Sequence, residues 1–155
     1  MGNFVIELAT ARAPLSVANF LDYVRSGHYE GTIFHRVVSN FVAQGGGLDE
    51  KLAEKPTKPN IPNESGNGLS NRRGSVGMAR TGEAHSANAQ FFVNLADNST
   101  LDPQPSRWGY AVFGQVVEGM DVVDAIGAVA TGAVGPLESD APLKAVVIQR
   151  IVAIK

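Results

Sequence analysis

The residues of this chain that are best suited to chemistry are one arginine and the aromatic and amide side chains around it. Arg36 lies in the stretch Phe34-His35-Arg36-Val37-Val38, and Phe41-Val42-Ala43-Gln44 follows shortly after it. A third stretch, Gln90-Phe91-Phe92, repeats the combination of an amide with aromatic rings. A guanidinium donates several hydrogen bonds, while an amide both donates and accepts them. Such groups bind a polar ligand beside an apolar wall.

Other kinds of chemistry have less support. The chain has 0 cysteines, which excludes a thiol nucleophile and a cysteine-ligated metal. His28, His35 and His85 lack the spacing of metal ligands, and no serine has surroundings that indicate a catalytic triad. The run Gly45-Gly46-Gly47 is not followed by the lysine of a phosphate-binding loop, so we interpret it as a tight bend.

Length and composition indicate an ordinary globular protein. The 155 residues fit one domain spanning 1–155. Apolar residues make up 44% and charged residues 18%, with a net charge of -2, so we expect neither disorder nor binding to nucleic acid. No apolar run approaches the roughly 20 residues of a membrane span. No heptad pattern or long apolar edge indicates assembly, so we expect a monomer.

The N-terminal residues bear on localisation. The stretch Met1-Gly2-Asn3-Phe4-Val5-Ile6-Glu7 lacks the basic and apolar regions of a secretion signal, which favours a cytoplasmic protein. The periplasm is the alternative if a signal was removed from this chain.

Two helices are predicted. Val17, Phe20, Leu21 and Val24 recur at helical spacing within Pro14–Arg25, with proline near the start and a glycine after the end. A second, shorter helix is predicted between Gly119 and Gly127, and the two helices could cap the ends of a barrel.

Short strands fill most of the remaining chain. Residues 3–8 and 146–154 are rich in Val, Ile and Phe, and we expect them to pair and bring the termini together. Other strands are predicted at 32–37, 41–44, 75–78, 90–95 and 110–117. The segment Leu48–Arg73 contains three prolines and is predicted to be an irregular loop. One closed antiparallel barrel is the simplest architecture for this pattern.

Strand alternation predicts which side chains share a face. Gln90 and Phe92 should point to one side and Phe91 to the other, so that one phenylalanine faces a groove and its neighbour the core. The same rule places Phe34 and Arg36 together. It also separates Phe41 from Gln44, so Phe41 can join them only from the start of its strand or from an irregularity.

Four segments together resemble a known family. In chain order they are residues 34–47 around Arg36 and Gln44, Gly77-Met78-Ala79-Arg80-Thr81, Gln90-Phe91-Phe92, and Tyr110-Ala111-Val112-Phe113-Gly114. In this order and spacing they closely resemble the bacterial branch of the cyclophilin family of peptidyl-prolyl cis-trans isomerases, over nearly the whole chain. The resemblance implies a mainly β fold, a closed eight-stranded antiparallel β-barrel capped by two α-helices.

The resemblance also implies an activity and its residues. The family rotates X-Pro peptide bonds in peptides and in unfolded or folding proteins, and this reaction needs no cofactor and no metal because no bond is broken. Arg36 is implied as the catalytic residue. The implied substrate-binding residues are Phe41, Val42, Phe92 and Leu101 around the proline, Gln44 and Gln90 on substrate backbone groups, Ala79, Arg80 and Thr81 along the groove before the proline, and Tyr110.

The chain departs from the best-known family pattern at three positions. Val42 replaces a usual methionine, and Tyr110 stands where many eukaryotic members have histidine. Thr100 aligns with a tryptophan that is associated with tight cyclosporin binding, so we expect weak cyclosporin binding, although Trp108 could partly substitute.

A second function class remains open, namely a peptide-binding chaperone or scaffold that uses the same groove without turnover. A hydrolase is a third hypothesis, but the sequence offers no credible nucleophile.

Overall fold

Short strands and two helices make up the fold. The computed structural model describes residues 1–154. The strands of this part are β1 (Val5–Leu8), β2 (Thr32–Ile33), β3 (Arg36–Val38), β4 (Val42–Gly45), β5 (Ser75–Met78), β6 (Phe91–Asn94), β7 (Val112–Glu118), β8 (Thr131–Val134), β9 (Leu137–Pro142) and β10 (Val147–Ile148). The helices are α1 (Pro14–Arg25) and α2 (Met120–Gly127). The protein is therefore mainly β with two helices, as predicted.

One larger sheet holds most of the strands. Its order is β1-β7-β5-β6-β4-β3, and each neighbouring pair is antiparallel. Within residues 1–154, β10 pairs with β2 and β8 pairs with β9 in two separate two-stranded sheets. The β8–β9 hairpin was not predicted, because most of its side chains are partly or fully exposed and form no apolar stripe.

Both predicted helices are confirmed. α1 begins at Pro14, where the missing N–H of proline costs no helical hydrogen bond, and ends at Arg25. Glu64, from the long loop, accepts hydrogen bonds from the backbone N–H groups of Leu15 (3.2 Å) and Ser16 (2.6 Å). A carboxylate suits the positive end of a helix dipole. The loop is thereby attached to the helix start.

The predicted pairing of the two chain ends is wrong. β1 pairs with β7, with Leu8 opposite Gly114, and β10 pairs with β2. Gly114 allows this close approach, since a Cβ there would lie 2.8 Å from Cγ2 of Ile6 and 3.0 Å from the carbonyl oxygen of Glu7. Apolar composition identified both terminal segments as strands but carried no information about their partners.

A single strand from Thr32 to Val37 is also wrong. The ladder stops after Ile33 and resumes at Arg36, where β3 joins a different sheet from β2. Alternation restarts across this break, so Phe34 packs in the main core against Phe91, with ring centroids 6.0 Å apart, while Arg36 lies beside Gln44. Phe34 and Arg36 therefore do not share a face.

The long loop is irregular, as predicted. Between Leu48 and Arg73 the chain has isolated bridges, such as Leu48 to Glu54, but no helix or strand. Asn63 of this loop donates hydrogen bonds to the carbonyl oxygens of Ala84 (3.0 Å) and Gly109 (2.9 Å). The loop is thus fixed to two other connecting segments. Neither α1 nor α2 has the length and apolar character needed to cross a membrane, and no other helix of the described residues does.

Aromatic side chains fill the main core. Phe91 is 1% exposed and makes edge-to-face contacts with Phe20 (5.7 Å), Tyr29 (5.5 Å) and Phe34. Tyr29 donates its hydroxyl to the carbonyl oxygen of Ala89 (2.7 Å), and burial raises the pKa of this hydroxyl. The core therefore joins α1 to the turn before β2, through Tyr29, and to β6, through Phe91.

We predict that Phe91→Ala destabilises the protein by about 3 to 5 kcal/mol, because it removes a buried ring and leaves a cavity among three others. Urea unfolding followed by circular dichroism measures the change. The control Val117→Ala, at a position that is 52% exposed, should stay within about 0.5 kcal/mol of the unmodified protein. Equal stability of the two variants would contradict the position of Phe91 in the core.

Candidate active site

A second apolar cluster lies on the opposite face of β6 from the main core. Phe91 and Val93 point into the main core, whereas Phe92 points away from it, which confirms the predicted alternation. Phe92, Val42 and Ala79 are buried in this second cluster. Three half-buried side chains complete it. We call the six residues the groove cluster: Phe41, Val42, Ala79, Phe92, Leu101 and Tyr110.

Strand pairing sets the floor of the groove cluster. β6 lies between β4 and β5, with Phe92 directly opposite Gln44 on one side and Gly77 on the other. A Cβ at Gly77 would overlap the Phe92 ring, lying 2.9 Å from its Cε1 atom. The absence of a side chain at Gly77 therefore lets the ring lie flat over β5.

Phe41 joins the cluster from just outside its strand. β4 begins at Val42, and Phe41 lies in the preceding turn, where its N–H bonds the carbonyl oxygen of Val38 (3.0 Å). Asn40 in that turn has a φ of 58°, the left-handed conformation that asparagine tolerates. Phe41 is therefore free of the strand alternation, as its membership of the site required.

Arg36 lies at the edge of the groove cluster, and most of its hydrogen-bond donors are unpaired within the described part of the chain. Its guanidinium carbon is 6.0 Å from the centre of the Phe41 ring. Its Nη1 atom is 3.5 Å from Oε1 of Gln44, at the long limit of a hydrogen bond, and its guanidinium has no other hydrogen bond within residues 1–154. The remaining donors of this fork are available to a ligand.

The two predicted glutamines form one unit. Gln44 donates from Nε2 to Oε1 of Gln90 (2.9 Å), and this leaves the Gln44 oxygen facing Arg36. The side chain of Gln90 packs directly against the backbone at Gly47. A Cβ at Gly47 would lie 2.6 Å from Cγ and 2.7 Å from Cδ of Gln90. Arg36, Gln44 and Gln90 thus line one side of the site in a row.

Arg80 and Thr81 lie at the other side. The Arg80 guanidinium stacks 4.4 Å from the Tyr110 ring centre and donates to the carbonyl oxygens of Trp108 (2.9 Å) and Gly109 (3.2 Å). These bonds occupy Arg80 within the protein. Thr81 is exposed, and its N–H and hydroxyl bond Ser86 rather than any groove-cluster residue. Thr81 is the one predicted residue that stays on the outer rim.

The structure places two further residues at this rim: Trp108, which the sequence connected only with cyclosporin binding, and His85, which it did not connect with the site. Trp108 is 48% exposed, and its ring meets that of His85 edge-on at 4.9 Å. Asn63 supports both, since its N–H bonds Nδ1 of His85 (2.9 Å) and its side chain bonds Gly109. The available signal was the single tryptophan of the chain, two residues before Tyr110. His85 is distant in sequence and gave none.

His35 and Arg36 differ in charge at neutral pH. Burial lowers the pKa of His35, and the neighbouring Arg36 charge lowers it further. The imidazole is therefore neutral, and Arg36 supplies the positive charge at this edge. Within residues 1–154, no group of three or more His, Cys, Asp or Glu side chains is placed to hold a metal ion.

This arrangement is typical of a peptide-binding protein. A pocket with aromatic and aliphatic walls, a row of two amides and a guanidinium along one side is suited to an extended peptide that inserts one apolar ring. Residues 1–153 match the model of the family described as cyclophilin type peptidyl-prolyl cis-trans isomerase/CLD. The chain belongs to this family.

Curated relatives agree. Over 154 residues the chain is 51% identical to peptidyl-prolyl cis-trans isomerase A of Dickeya dadantii, covering 99% of this chain and 80% of that protein. Over 153 residues it is 49% identical to peptidyl-prolyl cis-trans isomerase B of Escherichia coli, covering 97% and 93%. A Streptomyces antibioticus isomerase is 54% identical over 151 residues, covering 96% and 90%.

A solved structure confirms the cyclophilin fold. A cyclophilin type isomerase of Cryptosporidium parvum, crystallised in the presence of the dipeptide Ala-Pro, superposes with a TM-score of 0.82 and covers 99% of this chain and 94% of its own. Its sequence identity is 24%, so this likeness concerns the fold alone.

We predict that Gly47→Ala lowers kcat/KM for an X-Pro peptide by about tenfold, since misplaced site residues cost up to about a hundredfold. The new methyl group would displace Gln90 and break its bond to Gln44. Gly82→Ala is the matched control, because nothing lies within 4 Å of a Cβ there. Isomerisation kinetics on both variants measure the effect. Equal rates would remove the glutamine pair from the site.

Proposed function

We propose that this chain speeds cis-trans rotation about X-Pro bonds in proline-containing peptides and in unfolded or folding proteins, without a cofactor. The observation that carries the proposal is the groove cluster with a guanidinium at its edge, that of Arg36, most of whose hydrogen-bond donors are left free by the described residues. Membership of the isomerase family and the relatives' names agree with this activity.

The reaction sets modest chemical demands. Rotation about a peptide bond meets a barrier of about 18 to 20 kcal/mol, because the amide loses its resonance. For X-Pro bonds the uncatalysed exchange takes roughly tens to hundreds of seconds. No covalent bond is made or broken. A protein accelerates the step if it binds the twisted amide more tightly than either planar form.

Arg36 is proposed as the residue that binds the twisted amide. When resonance is lost, the proline nitrogen becomes pyramidal and gains a lone pair that can accept a hydrogen bond. A guanidinium is always charged and has several donors in a fixed fork. The long contact to Gln44 orients Arg36 through Nη1 and leaves its other donors free. A donor that is already in place lowers the barrier without reorganisation.

The other residues are proposed to hold the substrate. The proline ring would enter between Phe41, Val42, Phe92 and Leu101, with Tyr110 closing the cluster. Gln44 and Gln90 would bond backbone groups of the peptide. The chain before the proline would run along Ala79, Arg80 and Thr81, and backbone bonding there fits substrates of many sequences.

We also propose that the sheets close into a barrel and that the protein acts as a monomer. Support for closure comes from the main core, which takes side chains from both helices, from β1, β5, β6 and β7 of the large sheet and, through Ile148, from β10. Support for the monomer comes from the groove cluster, since one chain supplies all six of its residues.

We predict that Arg36→Ala lowers the isomerisation rate by about a hundredfold to a thousandfold, as removal of a preorganised donor does in other enzymes. Two-dimensional exchange NMR on a short X-Pro peptide measures this. Arg25→Ala removes an exposed arginine of α1 and should leave the rate unchanged.

The same measurement separates isomerase from chaperone. Peptide binding without faster exchange, in the unmodified chain, would favour a peptide-binding chaperone. Fast exchange in Arg36→Ala would remove Arg36 from its assigned role.

We predict weak cyclosporin binding, with a dissociation constant well above the nanomolar range. Thr100 lies in a short 3-10 turn, Ser99–Leu101, and offers no indole at this position, while the ring of Trp108 is packed against His85. Isothermal titration measures the affinity, and Thr100→Trp should tighten it. A low-nanomolar value for the unmodified chain would refute the prediction.

A further inference from the structure

Three buried asparagines lie beneath the groove cluster, in positions that no part of the proposed function uses. Asn71, Asn94 and Asn98 are 1%, 0% and 8% exposed. A buried amide without partners is costly, and most asparagines lie at the surface. Three in contact therefore call for a physical reason beyond filling space.

The three side chains form one hydrogen-bonded network. Asn94 donates from Nδ2 to Oδ1 of Asn71 (3.0 Å) and to the hydroxyl of Ser75 (2.8 Å). Its own Oδ1 atom accepts from Nδ2 of Asn98 (2.8 Å). Asn94 lies on β6 opposite Val42, two residues after Phe92 and hence on the same face. The network thus borders the apolar floor of the pocket directly.

The outer bonds of the network run to the walls of the pocket. Asn98 donates from Nδ2 to the carbonyl oxygen of Phe41 (2.9 Å), and its backbone carbonyl oxygen accepts from the N–H of Leu101 (3.0 Å). Asn71 donates from Nδ2 to the carbonyl oxygen of Tyr110 (3.2 Å). The backbones of Phe41 and Tyr110 are therefore bonded to asparagine side chains, and Leu101 is bonded to the main chain of Asn98.

A carboxylate completes the attachment. Oδ1 of Asp102 accepts from the backbone N–H of Asn71 (2.7 Å) and from its side-chain Nδ2 (3.0 Å). Asp102 directly follows Leu101, so this bond holds the same wall from its other side. The N–H of Tyr110 also bonds the carbonyl oxygen of Leu101 (2.8 Å).

These walls need such support because regular structure does not supply it. Phe41 precedes β4, Leu101 ends a 3-10 turn and Tyr110 precedes β7, so all three lie outside the ladders that fix Val42 and Phe92. Fully satisfied buried networks have one preferred geometry and are rigid. This network joins three separate loops into one rigid frame.

We propose that Asn71, Asn94 and Asn98 are positioning residues that set the width of the proline pocket by holding Phe41, Leu101 and Tyr110 at fixed distances. The inference rests on the proposed function for its substrate, an X-Pro peptide. It assigns to the network the affinity for the proline ring, while Arg36 on β3 retains the rotation step.

The test is Asn98→Ala, which removes the donors to Phe41 and Asn94. The dissociation constant for a short Ala-Pro peptide should rise about tenfold, the effect of losing about one hydrogen bond's free energy, while the exchange rate at saturating peptide stays within about twofold. The free variant should also show shifted NMR signals for Phe41, Leu101 and Tyr110. Val17→Ala, in the α1 core, is the control for lost stability and should change neither the dissociation constant nor the three NMR signals.

A merely structural role gives a different result. Folded Asn98→Ala with unchanged affinity and unchanged signals for the three walls would overturn the proposal, whatever its melting temperature. If Asn98→Ala does not fold, Asn98→Ser takes its place. Its hydroxyl has one donor and can replace only one of the two hydrogen bonds that Nδ2 of Asn98 donates. The affinity of Asn98→Ser for the peptide should therefore be lower than that of the unmodified protein, and an unchanged affinity would overturn the proposal.

Failure of the proposed function is recognised separately. In that case the cis-trans exchange of the peptide would not be faster with the unmodified chain, whether or not the peptide binds. The wall signals in the peptide-free variants would still decide whether the asparagines position the pocket.

Discussion

The alternation of side chains along β6 is the constraint on which the rest of the structure depends. This strand of four residues lies inside the large sheet, between β4 and β5. One face carries Phe91 and Val93 into the aromatic core, and the other carries Phe92 and Asn94 to the groove. Because successive side chains must point to opposite sides, the same backbone anchors the fold and builds the floor of the site. A shift of one residue in register would exchange the two roles.

The site combines a rigid apolar pocket with a charged group that is kept available. Glycines at positions 47 and 77 let Gln90 and Phe92 approach the backbone closely, and this fixes the orientation of both side chains. Among the described residues, the guanidinium of Arg36 has only a long hydrogen-bonding contact to Gln44, whereas that of Arg80 donates hydrogen bonds to backbone carbonyl oxygens of the protein. The two arginines therefore differ, for a geometric reason, in the number of donors that they leave free. The proposed rotation of an X-Pro bond would need this combination, because the ring must be held while the amide turns.

Local signals explain how much of the fold could be predicted. Pro14 and the glycines that flank α2 mark helix ends through their own backbone preferences, and both helices were located correctly. β5 was also located correctly, since an apolar strand between turn residues is a local pattern. The break between Ile33 and Arg36 was missed, because Phe34 and His35 look like strand residues and only the core and the neighbouring sheet decide where they point. The pairing of β1 with β7 depends on space beside Gly114, which is not visible in either strand alone.

For the site, the sequence by itself determined which residues could act. Its resemblance to a family identified Arg36, the glutamines and the apolar walls as candidates. Strand alternation placed Phe91 and Phe92 on opposite faces. Tertiary structure alone decided how they are arranged. It brought Phe41 in from outside its strand, left Thr81 on the rim, and added Trp108 and His85 beside Arg80. It also assembled Asn71, Asn94 and Asn98 into one network. Asparagine in a sequence signals a turn or the surface, and its burial becomes favourable only when folding brings every partner within hydrogen-bonding distance.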